Sequence, residues 1–507
     1  MARSLYSWCL IKINELLLEE FWNTFNPFTF MPSSIVDEIV DSIIDNPIGF
    51  HAPSLCFVCD SGQVEHFSLH GVRMSRQIIP VLKSLSVCKK LKALKLTDLD
   101  IQPNNVQEAS EHLENLFRNS THLEHLHCGI IFDLKALRAC KDLRTIRLNF
   151  FPQQPIHEFL DVIGTSKLPH ENLQLFTICE RYVNRYILNG EIAEVLNHCP
   201  NLQSLGCIET SSSLTYLHGV KIQSGEPSPS YQLTKCFWRE NKVSKKHCRL
   251  NYRGFEDSVI YFGASFFYSV KVAVLLCPLL RELIIEIPRT HYSSIIKSLS
   301  NLKNLTLLEI ELSDFTHEFR TECLNLLTDI GPKLKHLAIH RFDNVEFDSI
   351  FKYCPGLESL KVDCNGVTPD WEENSVNLER LRRLAFFSID GANVESVEKL
   401  FSLCINLEEL FLKNPKFLNG NFLKTIKKVN TMNRLKIACI CDCSMTEEEL
   451  KDFVVNATAL EKIAFDSSKI NDDDAEDLIE EINDNIIVYP DWNTGLKDEF
   501  FYRRRYF

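Results

Sequence analysis

A chain of 507 residues with 45% apolar and 24% charged residues has the composition of an ordinary folded protein and excludes intrinsic disorder. Its net charge of -13 excludes a general nucleic-acid or anionic-membrane surface, because phosphate binding needs a basic field. Nineteen cysteines, an odd total spread over a long chain, exclude a small disulfide scaffold and predict reduced thiols in cytoplasm or nucleus.

The opening segment offers no signal peptide, since Lys12 and Glu15 break its apolar stretch, and no run of eighteen apolar residues predicts a membrane span. Instead the spacing predicts an amphipathic helix. Leu5, Cys9 and Ile13 lie four apart, nearly in line on a helix of 3.6 residues per turn, with Ser4 suited to its N-cap. The stripe continues through Leu16, Leu17 and Phe21, while Lys12, Asn14, Glu15, Glu19 and Glu20 fall mostly elsewhere. A second short helix is expected at Met31-Pro32-x-x-Ile35-x-x-x-Ile39, with Pro32 in its first turn.

Ser4-Leu5-x-x-x-Cys9-x-x-x-Ile13 resembles the BC box, the helix by which cullin-RING substrate receptors bind elongin C. In that family the leucine matching Leu5 enters an apolar pocket, and the cysteine matching Cys9 packs beside it where a larger side chain would not fit. Met31, Pro32, Ile35 and Ile39 resemble the cullin-2 box that follows a BC box; the fifth-cullin variant would want a second proline where Ser34 stands. Two other readings stay open. The helices could simply cap a repeat array, and Met31 to Val40 also resembles the opening of an F-box, although Pro47, Gly49 and Pro53 interrupt what should follow.

From about residue 55 the chain repeats itself. Leu-x-x-Leu-x-Leu recurs as Leu91/Leu94/Leu96, Leu143/Ile146/Leu148, Leu334/Leu337/Ile339, Leu357/Leu360/Val362 and Leu407/Leu410/Leu412. Weaker copies begin near Val64, Leu123, Leu173, Leu202, Leu233, Leu280, Leu305, Leu381, Met432 and Leu460, about 15 units with a mean period of about 28 residues. In a short strand alternate side chains take opposite faces, so the leucines point inward and the residues between them point out. Cys88, Cys140, Cys199, Cys277, Cys354 and Cys404 each stand three residues before the first leucine of a unit, where a small thiol fits the corner between helix and strand. This resembles the cysteine-containing repeats of F-box and related receptors. The segments around Ala193 and Leu326 read as the helices of such units, and the fold class expected is α/β, a leucine-rich-repeat solenoid curved into a horseshoe.

The period breaks between about 208 and 265, where Ser211-Ser212-Ser213 and the Pro227/Pro229 stretch predict a loop insertion. Arg239, Lys242, Lys245, Lys246, His247, Arg249 and Arg253 make that stretch basic, suiting either solvent or an acidic peptide. The acidic run from Asp472 to Asp477 predicts the first turn of a final helix. No phosphate-binding loop, dinucleotide fingerprint, nucleophile elbow or His-Glu-x-x-His motif occurs, so neither catalysis nor a cofactor is expected. Cys56-x-x-Cys59 has metal-ligand spacing but no second pair, and no metal site is expected; Cys439, Cys441 and Cys443 alternate on a strand and should share one face.

The expected organisation is a docking segment at 1–50, a solenoid at 51–490 and a tail at 491–507. The order of BC box, cullin box and leucine-rich repeats is similar to the Zyg-eleven and Zer-one receptors, although those end in armadillo repeats for which this chain leaves no room. The resemblance implies a substrate receptor that docks elongin B/C through Ser4, Leu5, Cys9 and Ile13, and a cullin-2-type scaffold through Met31, Pro32, Ile35 and Ile39. It would hold a protein client on outward positions such as Lys95, His127, Arg147 and Lys361, with no nucleic acid or membrane among its partners. A plain interaction scaffold is the alternative.

Overall fold

The computed structural model describes residues 5–489 apart from 23–24, 45–50, 71–74, 98, 100, 150–171, 179–188, 224, 226–229, 240–265, 289–291, 313–320, 368–377, 388–390, 393 and 484. The chain divides into two compact units, Met1–Ile208 with Tyr231–Leu233, and Glu209–Ser230 with Thr234–Phe507.

The first unit begins with helices α1 (Leu5–Leu18), α2 (Ser33–Ile44) and α3 (Ala52–Cys59). Strands β1 (His66–His70), β2 (Ala93–Thr97), β3 (His125–Cys128), β4 (Thr145–Leu148), β5 (Leu175–Ile178) and β6 (Ser204–Glu209) follow. Each pairs in parallel with the next. Parallel pairing requires a crossover between rungs, and helices such as Ser75–Leu85 and Val106–Asn119 supply it. The repeat leucines drive the arrangement: Leu91, Leu94, Leu96, Leu143, Ile146 and Leu148 are all buried, each stabilising the unit by roughly 1.5–3 kcal/mol.

The second unit continues the pattern with β7 (Lys235–Arg239), β8 (Glu282–Ile287), β9 (Leu307–Leu312), β10 (His336–Val345), β11 (Ser359–Val367), β12 (Arg383–Phe387), β13 (Gly391–Ala392), β14 (Glu409–Lys413), β15 (Ile437–Cys443), β16 (Lys462–Ser467) and β17 (Ile487–Tyr489). The short β13 pairs with the far end of β11, so β12 lies between β11 and β14. The fold is thus α/β, with the parallel rungs of a leucine-rich-repeat stack in each unit.

Three expectations need correction. The segment expected as a loop insertion contains a helix, Ser211–Gln223, and the strand β7. Its serines start the helix: the buried Glu209 carboxylate accepts the backbone N–H groups of Ser211 and Ser212, as a helix N-terminus requires. The basic residues from Lys242 to Arg253 lie outside the described residues. Second, the unit expected to start near Met432 starts at Leu435, because Ala438 stands level with Leu410 and Ile440 with Leu412. Third, Cys439 and Cys441 share a face with sulfurs 3.5 Å apart, but Asp442 takes φ +54° and the register shifts before Cys443, which removes it from their row.

The acidic run does begin the helix Asp472–Ile482, whose N-cap Asn471 accepts the Asp474 N–H at 2.8 Å. The corner cysteines are free, buried thiols. Cys88 donates to the Cys59 carbonyl at 3.2 Å and Cys140 to that of Phe117 at 3.4 Å, each tying one repeat to the one before. Gly331 occupies the same corner, where a Cβ would stand 2.6 Å from the Tyr353 carbonyl. Burial pushes Cys88, Cys140, Cys199 and Cys354 up to about 12. At pH 8 roughly one such thiol in ten thousand is ionised, so an alkylating reagent on the native protein is expected to mark the exposed Cys9 at least a hundredfold faster than these four. Peptide mapping after a timed pulse checks it; comparable rates would place the corners in solvent.

Candidate docking and recognition surfaces

The N-terminal helices present different faces. α1 is held by its inward side: Leu17 is buried, and Asn14 Nδ2 donates to the Ser42 hydroxyl at 2.8 Å on α2. Its other side is open. Leu5 is 81% exposed, Trp8 is 57% exposed and Cys9 is exposed, while Ile13 is half-buried. Ser4 lies outside the described residues. Beside the end of α1, a cavity of about 250 Å³ is lined by Leu16, Leu17, Phe21, Trp22, His51 and Phe57 among others. Phe21, Phe25 and Phe30 add exposed rings nearby in sequence.

α2 is chiefly a cap on the sheet. Val36, Ile39, Val40 and Ile43 are buried, and the Asp37 carboxylate accepts the Glu65 and His66 N–H groups at 3.0 and 3.2 Å. Those are donors at the edge strand β1, which would otherwise be open to another chain. Of the residues matched to a cullin box, Pro32 and Ile35 are exposed and Met31 is half-buried. Ile39 is 0% exposed and must be withdrawn from any docking surface, because its turn of the helix faces the core.

The outward residues of the rungs differ between the units. In the first unit Lys95, His127 and Arg147 stand level on β2, β3 and β4, forming a polar row. Lys95 is exposed and the other two are half-buried, with His127 Nε2 3.2 Å from Asn149 Oδ1. In the second unit the equivalent row runs through Glu309, Ala338, Lys361, Ala385, Phe411, Cys439 and Ala464. All seven are buried. Lys361, expected as a client-binding residue, is only 3% exposed, with its ammonium 5.5 Å from the centre of the Phe387 ring. It therefore leaves the accessible set.

Polar and ionic contacts lie on and beside this row. Arg383 meets Glu409 at 2.9 Å, His340 meets Glu309 at 3.3 Å and Arg341 meets Glu311 at 3.3 Å. On the same face, burial pulls the His336 imidazole down to about 4, opposed by Glu358 and assisted by Arg383 and Lys335. The folded protein thus keeps His336 neutral while the unfolded chain takes up a proton near its ordinary value of 6.5. Its contribution is intact above that value and is lost as pH falls toward 4. The unfolding temperature is expected to drop across that window, and His336→Gln to flatten the drop; an unchanged slope in the variant would show that other groups govern it.

Among the described residues no group of three or more His, Cys, Asp or Glu could hold a metal ion, and no helix is long and apolar enough to cross a membrane. Sequence reasoning missed Trp8, one turn from Leu5 on the open side of α1, and the apolar character of the second unit's outer row. Both were signalled by apolar residues at positions where solvent normally selects polar ones.

No family model and no curated protein matches the sequence. Among solved structures the chain is similar to one described as the crystal structure of the Rad7 and Elc1 complex in yeast, at 13% identity. The match covers 87% of this chain and 94% of that one with a TM-score of 0.43, a likeness too slight to speak for partner or activity.

Proposed function

We propose that this protein is the non-catalytic substrate-recognition subunit of a cullin-RING ubiquitin ligase, working in cytoplasm or nucleus. In this reading α1 docks elongin B/C through Leu5, Cys9 and Ile13, Pro32 and Ile35 face a cullin-2-type scaffold, and the Lys95–His127–Arg147 row meets the protein client. The carrying observation is the exposure of Leu5 and Cys9 on one line of a helix already anchored by its opposite side. Open apolar surface of that kind is characteristic of helix-in-groove recognition.

The test is reconstitution. The purified chain mixed with elongin B/C at micromolar concentration is expected to co-elute as one complex, and a cullin-2 N-terminal domain to join it. Absence of any complex would leave a capped interaction scaffold. That second reading draws on α2, whose Asp37 closes the β1 edge irrespective of any partner.

A further inference from the structure

The cavity at the end of α1 has aromatic walls and one carboxylate. Phe21, Trp22 and Phe57 line it together with Glu20, and Leu16 and Leu17 are among the apolar residues around them. The rings stand edge to face. Phe21 meets Trp22 with centres 5.7 Å apart at 87°, and the buried Phe28 packs against both Trp22 and Phe57, at 5.6 Å and 76° and at 6.1 Å and 83°. Asn26 fixes that arrangement, because its Oδ1 accepts the Phe28 N–H at 3.0 Å while its Nδ2 donates to the Phe57 carbonyl at 2.6 Å. His51, also in the lining, is held at the N-cap of α3, its Nδ1 2.6 Å from the Ser54 hydroxyl. The walls are therefore set before any ligand arrives, which lowers the ordering cost of binding.

Glu20 is not the residue that the turn alone would select. α1 closes with the Phe21 N–H on the Leu16 carbonyl at 3.0 Å and the Glu20 N–H on the Leu17 carbonyl at 3.3 Å, the paired bonds of a Schellman ending. Glu20 takes φ +51° there, a left-handed conformation ordinarily left to glycine because a Cβ crowds the backbone. The acid at this strained position is exposed and has no ion-pair partner among the described residues. Ring faces and a carboxylate both attract positive charge. A primary ammonium would bring three N–H donors to walls that are mostly carbon, whereas a trimethylammonium brings none to satisfy and matches both the apolar surface and the charge.

We propose that this cavity, about 250 Å³ in volume, binds the trimethyllysine side chain of a partner protein, with the quaternary ammonium among Phe21, Trp22 and Phe57 and beside Glu20. Phe25 and Phe30, exposed and stacked with centres 5.9 Å apart, belong to the same segment as Phe28 and give the residues flanking such a lysine an apolar surface to lie on. The 14-residue α1 puts Leu5 about 20 Å from this end, so the site neither rests on elongin docking nor competes with it.

The experiment titrates the full chain calorimetrically with four probes: an Ala-Ala-Lys-Ala-Ala peptide carrying trimethyllysine, its unmethylated form, its neutral tert-butyl carbon isostere, and choline. The trimethylated peptide is expected to bind at least about tenfold tighter than each of the other three. Phe21→Ala, at a side chain 67% exposed in the free protein, should lose at least about tenfold in affinity without unfolding the chain. Glu20→Gly separates a binding role from a structural one: glycine relieves the left-handed position, so the unfolding temperature should hold or rise while affinity falls at least about fivefold. No binding of the trimethylated peptide at millimolar concentration would overturn the proposal, as would equal binding of the unmethylated peptide. Equal binding of the isostere would reduce the site to an apolar hole, and equal binding of choline would assign it to a free small cation. Wild-type affinity in Glu20→Gly or Phe21→Ala would likewise overturn it.

Discussion

Phe401→Ala is expected to destabilise the second unit by about 3–5 kcal/mol, the range for truncating a buried aromatic residue. Phe401 lies in the helix Val394–Leu403 and is buried. Its ring centre is 5.4 Å from that of Phe422 and 6.3 Å from those of Phe386 and Phe417, so one side chain joins β12 to the following repeat. Flat, stiff neighbours cannot collapse into the space left behind, which puts the cost at the upper part of the range. Because repeats are stabilised mainly by their neighbours, the loss should appear first as hydrogen exchange in β12, β14 and β15. Chemical denaturation followed by circular dichroism measures the magnitude. A shift below about 0.5 kcal/mol, the scale of a surface substitution, would mean that Phe401 is not the junction between these repeats.

The repeat leucines were legible because one physical rule, alternation on a strand buried on one face, fixes both their spacing and their environment. The buried Leu360 and Val362 on β11 and the buried Cys354 before them followed from spacing alone. Met432 failed because Met432-x-x-Leu435-x-Ile437 satisfies the pattern as well as Leu435-x-x-Ala438-x-Ile440 does, and only pairing with β14 selects between them. The serines at 211–213 read as a loop because nothing local revealed that Glu209 would be buried as their cap. Of the candidate site, the line Leu5–Cys9 was legible from helical spacing, whereas the loss of Ile39 and Lys361 was not. Helix periodicity says which residues share a face; it does not say what that face meets. Ile39 faces the core because Asp37 anchors α2 at β1, and the burial of Lys361 is a property of the whole row.

Leu5→Ala combined with Cys9→Phe is expected to abolish elongin capture while leaving the fold intact. Truncating an interface anchor commonly costs 2 kcal/mol or more, about thirtyfold in affinity, and the bulkier ring at position 9 adds a clash in the groove that the resemblance implies. The same change should move stability by no more than about 0.5 kcal/mol, since exposed positions rarely cost more and Leu5 is exposed in the free chain. Pro32→Ala with Ile35→Ala should weaken cullin capture and leave elongin bound, because these exposed residues lie just before and within α2 rather than on α1. Ile39→Ala makes the contrast: buried in α2, it should cost about 2–5 kcal/mol of stability and loosen the cap on β1 before it alters any contact with a partner. Pulldown and thermal unfolding on the same preparations separate the three outcomes. If the Leu5 and Cys9 changes melt the protein, or if the unaltered chain takes up no elongin, then α1 serves its own fold and its open leucine answers to a different partner.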